Sequence, residues 1–184
     1  MSASWVMLQL VRTLVAIPLV LLLACTTATT VTVTGDPRAP VSRSPSVTGN
    51  GGHRAIVTRV VDGDTAHARL RGRDVTVRFI GVDTPETVAP GQPIECYGPE
   101  ASHFTTRQLT GQRVRLEFDV DRIDPFGRTL VYLWMHDGSL FNETLVRRGF
   151  ATVATYPPDT RYVQRFEAAQ RAAKTTNRGL WGAC

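Results

Sequence analysis

The sequence predicts a mainly β domain of the α+β class: five strands of barrel type accompanied by three helices. Three observations predict it. Residues 55–80 hold three β-branched or alternating runs separated only by tight turns. Gly98-Pro99-Glu100 then opens a helix, with proline suited to a first turn. Two more alternating runs and two amphipathic segments follow. At 184 residues the chain has room for one domain and an appendage. Its 42% hydrophobic and 20% charged residues exclude disorder throughout and a multi-pass membrane protein.

The elements follow in order. Residues 55–61, Ala-Ile-Val-Thr-Arg-Val-Val, carry the β-branched side chains that suit a pleated, half-buried surface. Asp62-Gly63-Asp64 is a turn, and Thr65 to Leu70 alternates as the second strand. Arg71-Gly72-Arg73 is a hairpin turn, and Val75 to Ile80 alternates again. The helix that begins at Gly98 runs to about Leu109, and Gly111 ends it. Val114 to Phe118 and Leu130 to Trp134 are the fourth and fifth strands, with a turn at Asp137-Gly138. Residues 140–149 form a short helix with Leu140, Phe141, Leu145 and Val146 on one side. Residues 160–175 form the last helix, with Phe166, Ala169, Ala172 and Ala173 inward. Five strands with a helix after the third fit an OB-fold barrel, although closure is not itself written in the strand pattern. Trp134, Trp181 and Phe166 are read as core residues.

The N-terminus has a different character. Residues 13–24 are mostly apolar, follow Arg12 and end in Ala24 before Cys25, the layout of an export signal. The run is short of the roughly 20 apolar residues that span a bilayer. Leu22-Leu23-Ala24-Cys25 resembles a bacterial lipobox, so residues 1–25 are expected to be removed up to a lipidated Cys25. Plain cleavage and an uncleaved anchor stay open, as does a start at Met7. The protein is accordingly expected outside the cytoplasm, on the outer face of the cell membrane or secreted. Residues 26–52 are rich in Thr, Ser, Pro and Gly without an aromatic residue, a tether unable to bury a core. The domain proper is residues 53–184. With Cys25 lipidated, Cys96 and Cys184 remain as a pair in an oxidising compartment, and a disulfide between them is expected. Two buried free thiols are the alternative.

The net charge of +5 and pI near 9.6 favour anionic partners, nucleic acid or membrane phosphates. Twenty of the 21 basic residues are Arg, with Lys174 the single Lys, a bias read as genome composition. Neither the three cysteines nor His53, His67, His103 and His136 have metal-ligand spacing. Asn142-Glu143-Thr144 matches a glycosylation sequon but falls in a helix, and it is discounted.

The informative residues are charged. Asp62-Gly63-Asp64-Thr65, Arg78, Asp83-Thr84-Pro85-Glu86 and Asp124-Pro125-Phe126-Gly127-Arg128 fall at strand ends and turns. Arg78 stands in a strand otherwise of Val and Phe, an odd place for a charge facing a core. Two carboxylates from separate segments can hold a hard cation such as Ca²⁺ through oxygen. Two guanidiniums can fork onto one phosphate. A third carboxylate can orient or deprotonate water. These are the parts for in-line displacement at phosphorus.

In combination they resemble the staphylococcal nuclease (thermonuclease) family over about residues 54–181. The resemblance rests on DGDT (62–65), RFIGVDTPET (78–87), YGPEAS (97–102), DPFGR (124–128), NETLVRRGFA (142–151) and GLW (179–181). The offsets from Asp64 to Arg78 and Asp83, 14 and 19 residues, match the family, as do the eleven residues from Glu86 to Tyr97. It implies an OB-fold barrel with three helices and Ca²⁺-dependent hydrolysis of single-stranded DNA and RNA at the bond to the 5′ oxygen. It implies Asp64 and Asp83 as Ca²⁺ ligands through their carboxylates and Thr84 through its carbonyl, with Asp62 behind them. It implies Arg78 and Arg128 on the scissile phosphate and Glu86 as the group that activates water. No obligate protein partner is expected, and the protein should be a monomer.

Three departures from the family thin the base platform. Pro125-Phe126 replaces Lys-Tyr, so Phe126 stacks without a hydroxyl. The segment 154–158 is two residues shorter than in the family and keeps Tyr156 as one of two tyrosines. Val88, Ala89, Pro90 and Gln92 replace basic residues after Glu86. Two rival readings remain: an OB module that binds nucleic acid without cutting it, and a structural lipoprotein. The complete Asp64, Arg78, Asp83, Glu86 and Arg128 set favours the enzyme, since binding alone would not need it.

Overall fold

The computed structural model describes residues 52–87, 91 and 93–184. The export signal, Cys25 and the tether up to residue 51 lie outside the described residues, as do residues 88–90 and 92. Five strands form a closed barrel: β1 (His53–Val60), β2 (Thr65–Leu70), β3 (Arg73–Phe79), β5 (Arg113–Glu117) and β6 (Thr129–Trp134). The order around it is β1-β2-β3-β6-β5, antiparallel except for the parallel β3–β6 pair, and β1–β5 pairing closes the ring. Closure removes every free edge from this sheet. Val57, Ala66, Ala68, Val77, Phe79, Val114, Leu116, Val131 and Leu133 fill the interior.

Helix α1 (Gly98–Leu109) joins β3's side of the barrel to β5, with Pro99 in its first turn and Arg107 in its last. It buries Ala101, Phe104, Thr105 and Leu109. Helix α2 (Phe141–Arg147) buries Phe141, Leu145 and Val146, and α3 (Val163–Thr175) buries Phe166, Ala169 and Ala173. The two helices pack on each other. Ala172, expected inward, is exposed: the buried positions of α3 are Phe166, Ala169 and Ala173, spaced by three and four residues, and Ala172 lies beside that stripe. Of the three aromatic residues read as core, Phe166 is buried, whereas Trp134 and Trp181 are half-buried. Each of these tryptophans carries cations on its ring, Arg115 and Arg165 on Trp134 and Lys174 on Trp181. Two small elements escape sequence reading: β4 (Val82–Asp83) pairs with β7 (Thr152–Val153), and α4 (Leu180–Ala183) adds a final turn. Elements of two and four residues are too short to show periodicity.

Asn142, the first residue of the discounted sequon, is fully buried and acts as a joint. Its Oδ1 accepts the Leu133 N–H at 2.9 Å, and its Nδ2 donates to the carbonyls of Ile80 at 2.9 Å and Val131 at 3.2 Å. It thereby ties α2 to β6 and to the turn that leads into Asp83. Asn142→Leu would leave the Leu133 N–H and the Ile80 carbonyl buried without these partners, each a loss of roughly 1–3 kcal/mol, whereas the Val131 carbonyl keeps the Ile80 N–H. Urea unfolding should show a destabilisation of at least about 2 kcal/mol with an unchanged m value.

Glu117 is the other buried polar hub. It accepts hydrogen bonds from Arg161 Nη1 at 2.6 Å, Trp134 Nε1 at 2.7 Å and the Tyr162 hydroxyl at 3.0 Å. Burial pushes its carboxyl up, but these donors outweigh burial and hold the pKa below the ordinary glutamate value. A lowered folded-state pKa stabilises the fold above the unfolded value, near 4.3, and that stability is lost as pH falls through the folded value. Glu117→Gln should therefore lower stability at neutral pH and flatten its decline below about pH 4. Thermal unfolding of both proteins across pH 2–7 checks this.

Candidate active site

The site is assembled at the ends of β2, β3 and β6 and the loops that leave them. In the Asp62-Gly63-Asp64 turn, Asp62 Oδ1 accepts the Asp64 N–H at 3.1 Å. The Gly63 carbonyl accepts the Thr105 hydroxyl at 2.7 Å, which ties the turn to α1. A Cβ on Gly63 would fall 2.6 Å from the Thr84 side chain, so only glycine lets Thr84 come this close. Asp64 is 5% exposed. Its Oδ2 accepts the Thr84 N–H at 2.9 Å and hydroxyl at 3.1 Å, and its Oδ1 accepts the Thr65 hydroxyl at 3.1 Å.

Arg78 explains its odd place in the strand here. It stands across from Thr65 in the β2–β3 register. Its Nη1 meets Asp64 Oδ2 at 2.6 Å and donates to the Val82 carbonyl at 3.0 Å, while Nη2 donates to Asp83 Oδ1 at 2.8 Å. One guanidinium thus bridges the two carboxylates, and its side chain is only 14% exposed. Burial raises the pKa of Asp64; Arg78 opposes that, and Asp62 adds to it. For Asp83 burial again dominates upward, Arg78 opposes, and Asp64 adds repulsion. Two carboxylates on one guanidinium, with Asp62 beside Asp64, leave an excess of negative charge. The donors are hard oxygens, which suit a divalent ion of the Ca²⁺ or Mg²⁺ type. Among the described residues no group of three or more His, Cys, Asp or Glu side chains is arranged to hold a metal.

Arg128 is presented by the loop before β6. Asp124 Oδ2 accepts its Nε–H at 2.6 Å, and Asp124 Oδ1 accepts the backbone N–H groups of Phe126 and Arg128, both at 2.9 Å. Burial pushes Asp124 up, but these bonds outweigh it and hold its pKa below the ordinary value. The Arg128 guanidinium also lies 5.2 Å from the Phe126 ring centroid. A pocket of about 430 Å³ is lined by Arg78, Arg128, Phe126 and Tyr156 together. Phe126 is 82% and Tyr156 72% exposed, unusual for aromatic residues that have no task at the surface.

Glu86 is not in the wall of that pocket. It sits on the turn after β4. Its N–H donates to Glu95 Oε2, its carbonyl accepts the Glu95 N–H, both at 2.9 Å, and its Oε1 accepts the Thr87 N–H at 2.8 Å. Next to Glu95, Cys96 is joined to Cys184 by a disulfide, across 88 residues of chain. The C-terminal end of that link is fixed where Gly149 and Gly179 cross. Both have positive φ, and a Cβ on either would strike the other strand's backbone. Asp83, Thr84, Glu95 and the disulfide line a second pocket of about 290 Å³.

The structure therefore gathers Arg78, Arg128, Phe126 and Tyr156 at one pocket and attaches Asp62, Asp64, Asp83 and Thr84 through Arg78. Sequence reading named Asp124 among the informative residues without assigning it the support of Arg128, four residues on, and it missed the other supports. Thr105 and Glu95 gave no signal, because their partners are remote in sequence or are backbone.

The family model described as staphylococcal nuclease homologue matches residues 76–183, more than half of the chain. The chain belongs to the staphylococcal nuclease family. Two relatives named thermonuclease are each 46% identical. That of Staphylococcus intermedius aligns over 130 residues, 71% of this chain and 77% of its own length. That of Staphylococcus hyicus aligns over 125 residues, 68% and 73%. Endonuclease YncB of Bacillus subtilis is 38% identical over 125 residues, 67% of this chain and 59% of its own. The closed five-stranded barrel with its helices is the fold expected of a staphylococcal nuclease family member.

Proposed function

We propose that this protein is a Ca²⁺-dependent phosphodiesterase that cuts DNA and RNA, single strands preferentially, at the bond to the 5′ oxygen. Its class, a nuclease hydrolysing phosphodiester bonds, follows from family membership and from relatives named thermonuclease and endonuclease. The observation that carries the finer reading is the arginine-lined pocket with two exposed aromatic side chains, joined through Arg78 to the Asp64–Asp83 pair.

In this reading Asp64 and Asp83 hold Ca²⁺ by their carboxylates and Thr84 by its carbonyl, with Asp62 supporting Asp64. The bound ion supplies positive charge to the phosphate oxygens and answers the excess negative charge around Arg78. Arg128 is held at Nε by Asp124, so its two terminal nitrogens are available to the scissile phosphate. Arg78 gives the same phosphate its second clamp, and the pair stabilises the charge that builds on the equatorial oxygens. Glu86 orients a water and takes its proton as the oxygen attacks phosphorus in line with the departing 5′ oxygen. The 5′ oxygen leaves with its bonding pair and takes a proton from solvent water, and Glu86 gives up the proton it received to solvent, which restores its carboxylate. Phe126 and Tyr156 stack on flanking bases, worth roughly 1–3 kcal/mol each. With two such rings and no Lys beside Phe126, a thinned platform supports weaker nucleotide binding without loss of chemistry.

The same proposal places the domain outside the cytoplasm as a monomer, tethered by residues 26–52 to a lipidated Cys25 or released after cleavage. The test is solubilisation of denatured DNA with rising Ca²⁺. Activity should appear with an apparent constant of roughly 10⁻⁴–10⁻³ M, as for loose extracellular sites, and vanish in chelator. Retention of DNA without cleavage at any Ca²⁺ concentration would mark a binding module instead.

A further inference from the structure

The outer face of the barrel carries an arginine-rich patch that the reaction above does not use. Strand register lines up two rows across it. Arg69, Ile56 and Arg113 stand opposite one another on β2, β1 and β5. Arg54, Arg115 and Trp134 do so on β1, β5 and β6. The alternate residues Ala55, Val57, Val114, Leu116 and Leu133 are buried, so these six share the outward face.

The patch is poorly neutralised. Asp74 pairs with Arg69 at 3.2 Å and Glu117 with Arg115 at 3.5 Å. Among the described residues Arg54 and Arg113 have no ion-pair partner. Arg54 stands directly opposite Arg115, whose own charge is met by Glu117. An open groove of about 780 Å³ runs through the patch. Its walls are not only cationic: Ile56 is 41% exposed, and the Trp134 ring lies under the Arg115 guanidinium at 4.8 Å. Arginine forks answer phosphates, so the chemistry fits the backbone of a nucleic-acid strand.

The patch lies at the opposite strand ends from the catalytic pocket. Along β6, Arg128 at the pocket and Trp134 at the patch are six residues apart, roughly 20 Å at about 3.3 Å per residue. A single strand of the length bound by OB folds, roughly 4–16 nucleotides, reaches both. We propose that this face is a second contact for the backbone of the strand being cut, setting a preference for long over short substrates. The proposal rests on the nuclease reading above.

The test uses the full chain carrying Arg54→Gln and Arg113→Gln together. Both side chains are exposed and unpaired, so Tm should not fall. On long denatured DNA, KM should rise several-fold with kcat unchanged. The slope of log affinity against log salt should lessen by about 1.4, or about 0.7 for each lost phosphate contact. Binding of thymidine 3′,5′-bisphosphate, too short to reach the patch, should not change. Unchanged KM and salt slope on long DNA would overturn the proposal. So would equal losses for the long and short ligands, which would place the effect in the pocket or the fold. Intact DNA kinetics with lost binding to phosphatidylglycerol vesicles would assign the face to a membrane and overturn it too. A wild type that neither cuts DNA nor binds the bisphosphate would remove the nuclease reading, and this proposal with it.

Discussion

Glu86→Gln is expected to lower kcat on denatured DNA by on the order of 10²–10⁴, with KM and Tm close to wild type. Glutamine keeps the shape of glutamate and an oxygen to accept the Thr87 N–H now received by Oε1. The two backbone bonds with Glu95 do not involve the Glu86 side chain and are kept. What is lost is the negative charge and the capacity to take a proton from water. A fall in kcat at constant KM is the mark of an interaction made only in the transition state. A loss confined to KM would mean that Glu86 helps to bind substrate and has no part in the chemical step. Steady-state kinetics with a melting curve separates these outcomes.

Arg78→Lys should cost nearly as much as loss of the arginine altogether, again on the order of 10²–10⁴ in rate. Charge is conserved, so the effect isolates geometry. Arg78 uses two separate nitrogens to meet Asp64 at 2.6 Å and Asp83 at 2.8 Å. A lysine ammonium is a single point and cannot hold both while also forking onto a phosphate. The substitution should also loosen Asp83, which is more than half exposed and is drawn to the site by that contact. A weaker apparent affinity for Ca²⁺ should accompany the loss of rate. Near-wild-type activity in Arg78→Lys would show that charge alone suffices and would contradict a bidentate role.

Much of this was legible in the sequence, for physical reasons that differ by residue. Strands β2 and β3 could be read because apolar residues recur at every second position, Ala66, Ala68 and Leu70 and then Val75, Val77 and Phe79, between tight turns. Helix α1 announced itself through Gly98-Pro99-Glu100 at its start and Gly111 past its end. Arg78 was conspicuous because a charge in an apolar strand requires a partner, and the partners proved to be Asp64 and Asp83. Other features were beyond a linear reading. The parallel β3–β6 pairing that brings Arg78 and Arg128 to one pocket joins segments about 50 residues apart, with α1 and β5 between them. The sequon at Asn142 was discounted, but the residue's role as a buried joint gave no signal, because its three partners, at Leu133, Ile80 and Val131, are backbone groups and leave no compositional trace. The Gly149–Gly179 crossing likewise depends on two segments meeting in space.

The pairing of Cys96 with Cys184 has a consequence for the site. Through Glu95 it fixes the segment to which the Glu86 backbone is bonded, and through Cys184 it fixes that segment to the end of α4. The carboxylate proposed as base therefore sits on a loop held by two hydrogen bonds and a covalent link, not on a regular element. Arg78 and Arg128, by contrast, are held at strand ends of the barrel. Supports of this kind keep a reacting group within tight positional limits when it comes from a loop.

The most direct test of the account is digestion of denatured DNA by the oxidised protein beside Glu86→Gln, each in Ca²⁺ and in chelator. Release of acid-soluble nucleotides by the wild type in Ca²⁺ alone, reduced at least about 10²-fold in the variant, is the predicted result. Equal cleavage by the wild type and a correctly folded Glu86→Gln variant, or cleavage that persists in chelator, would contradict it.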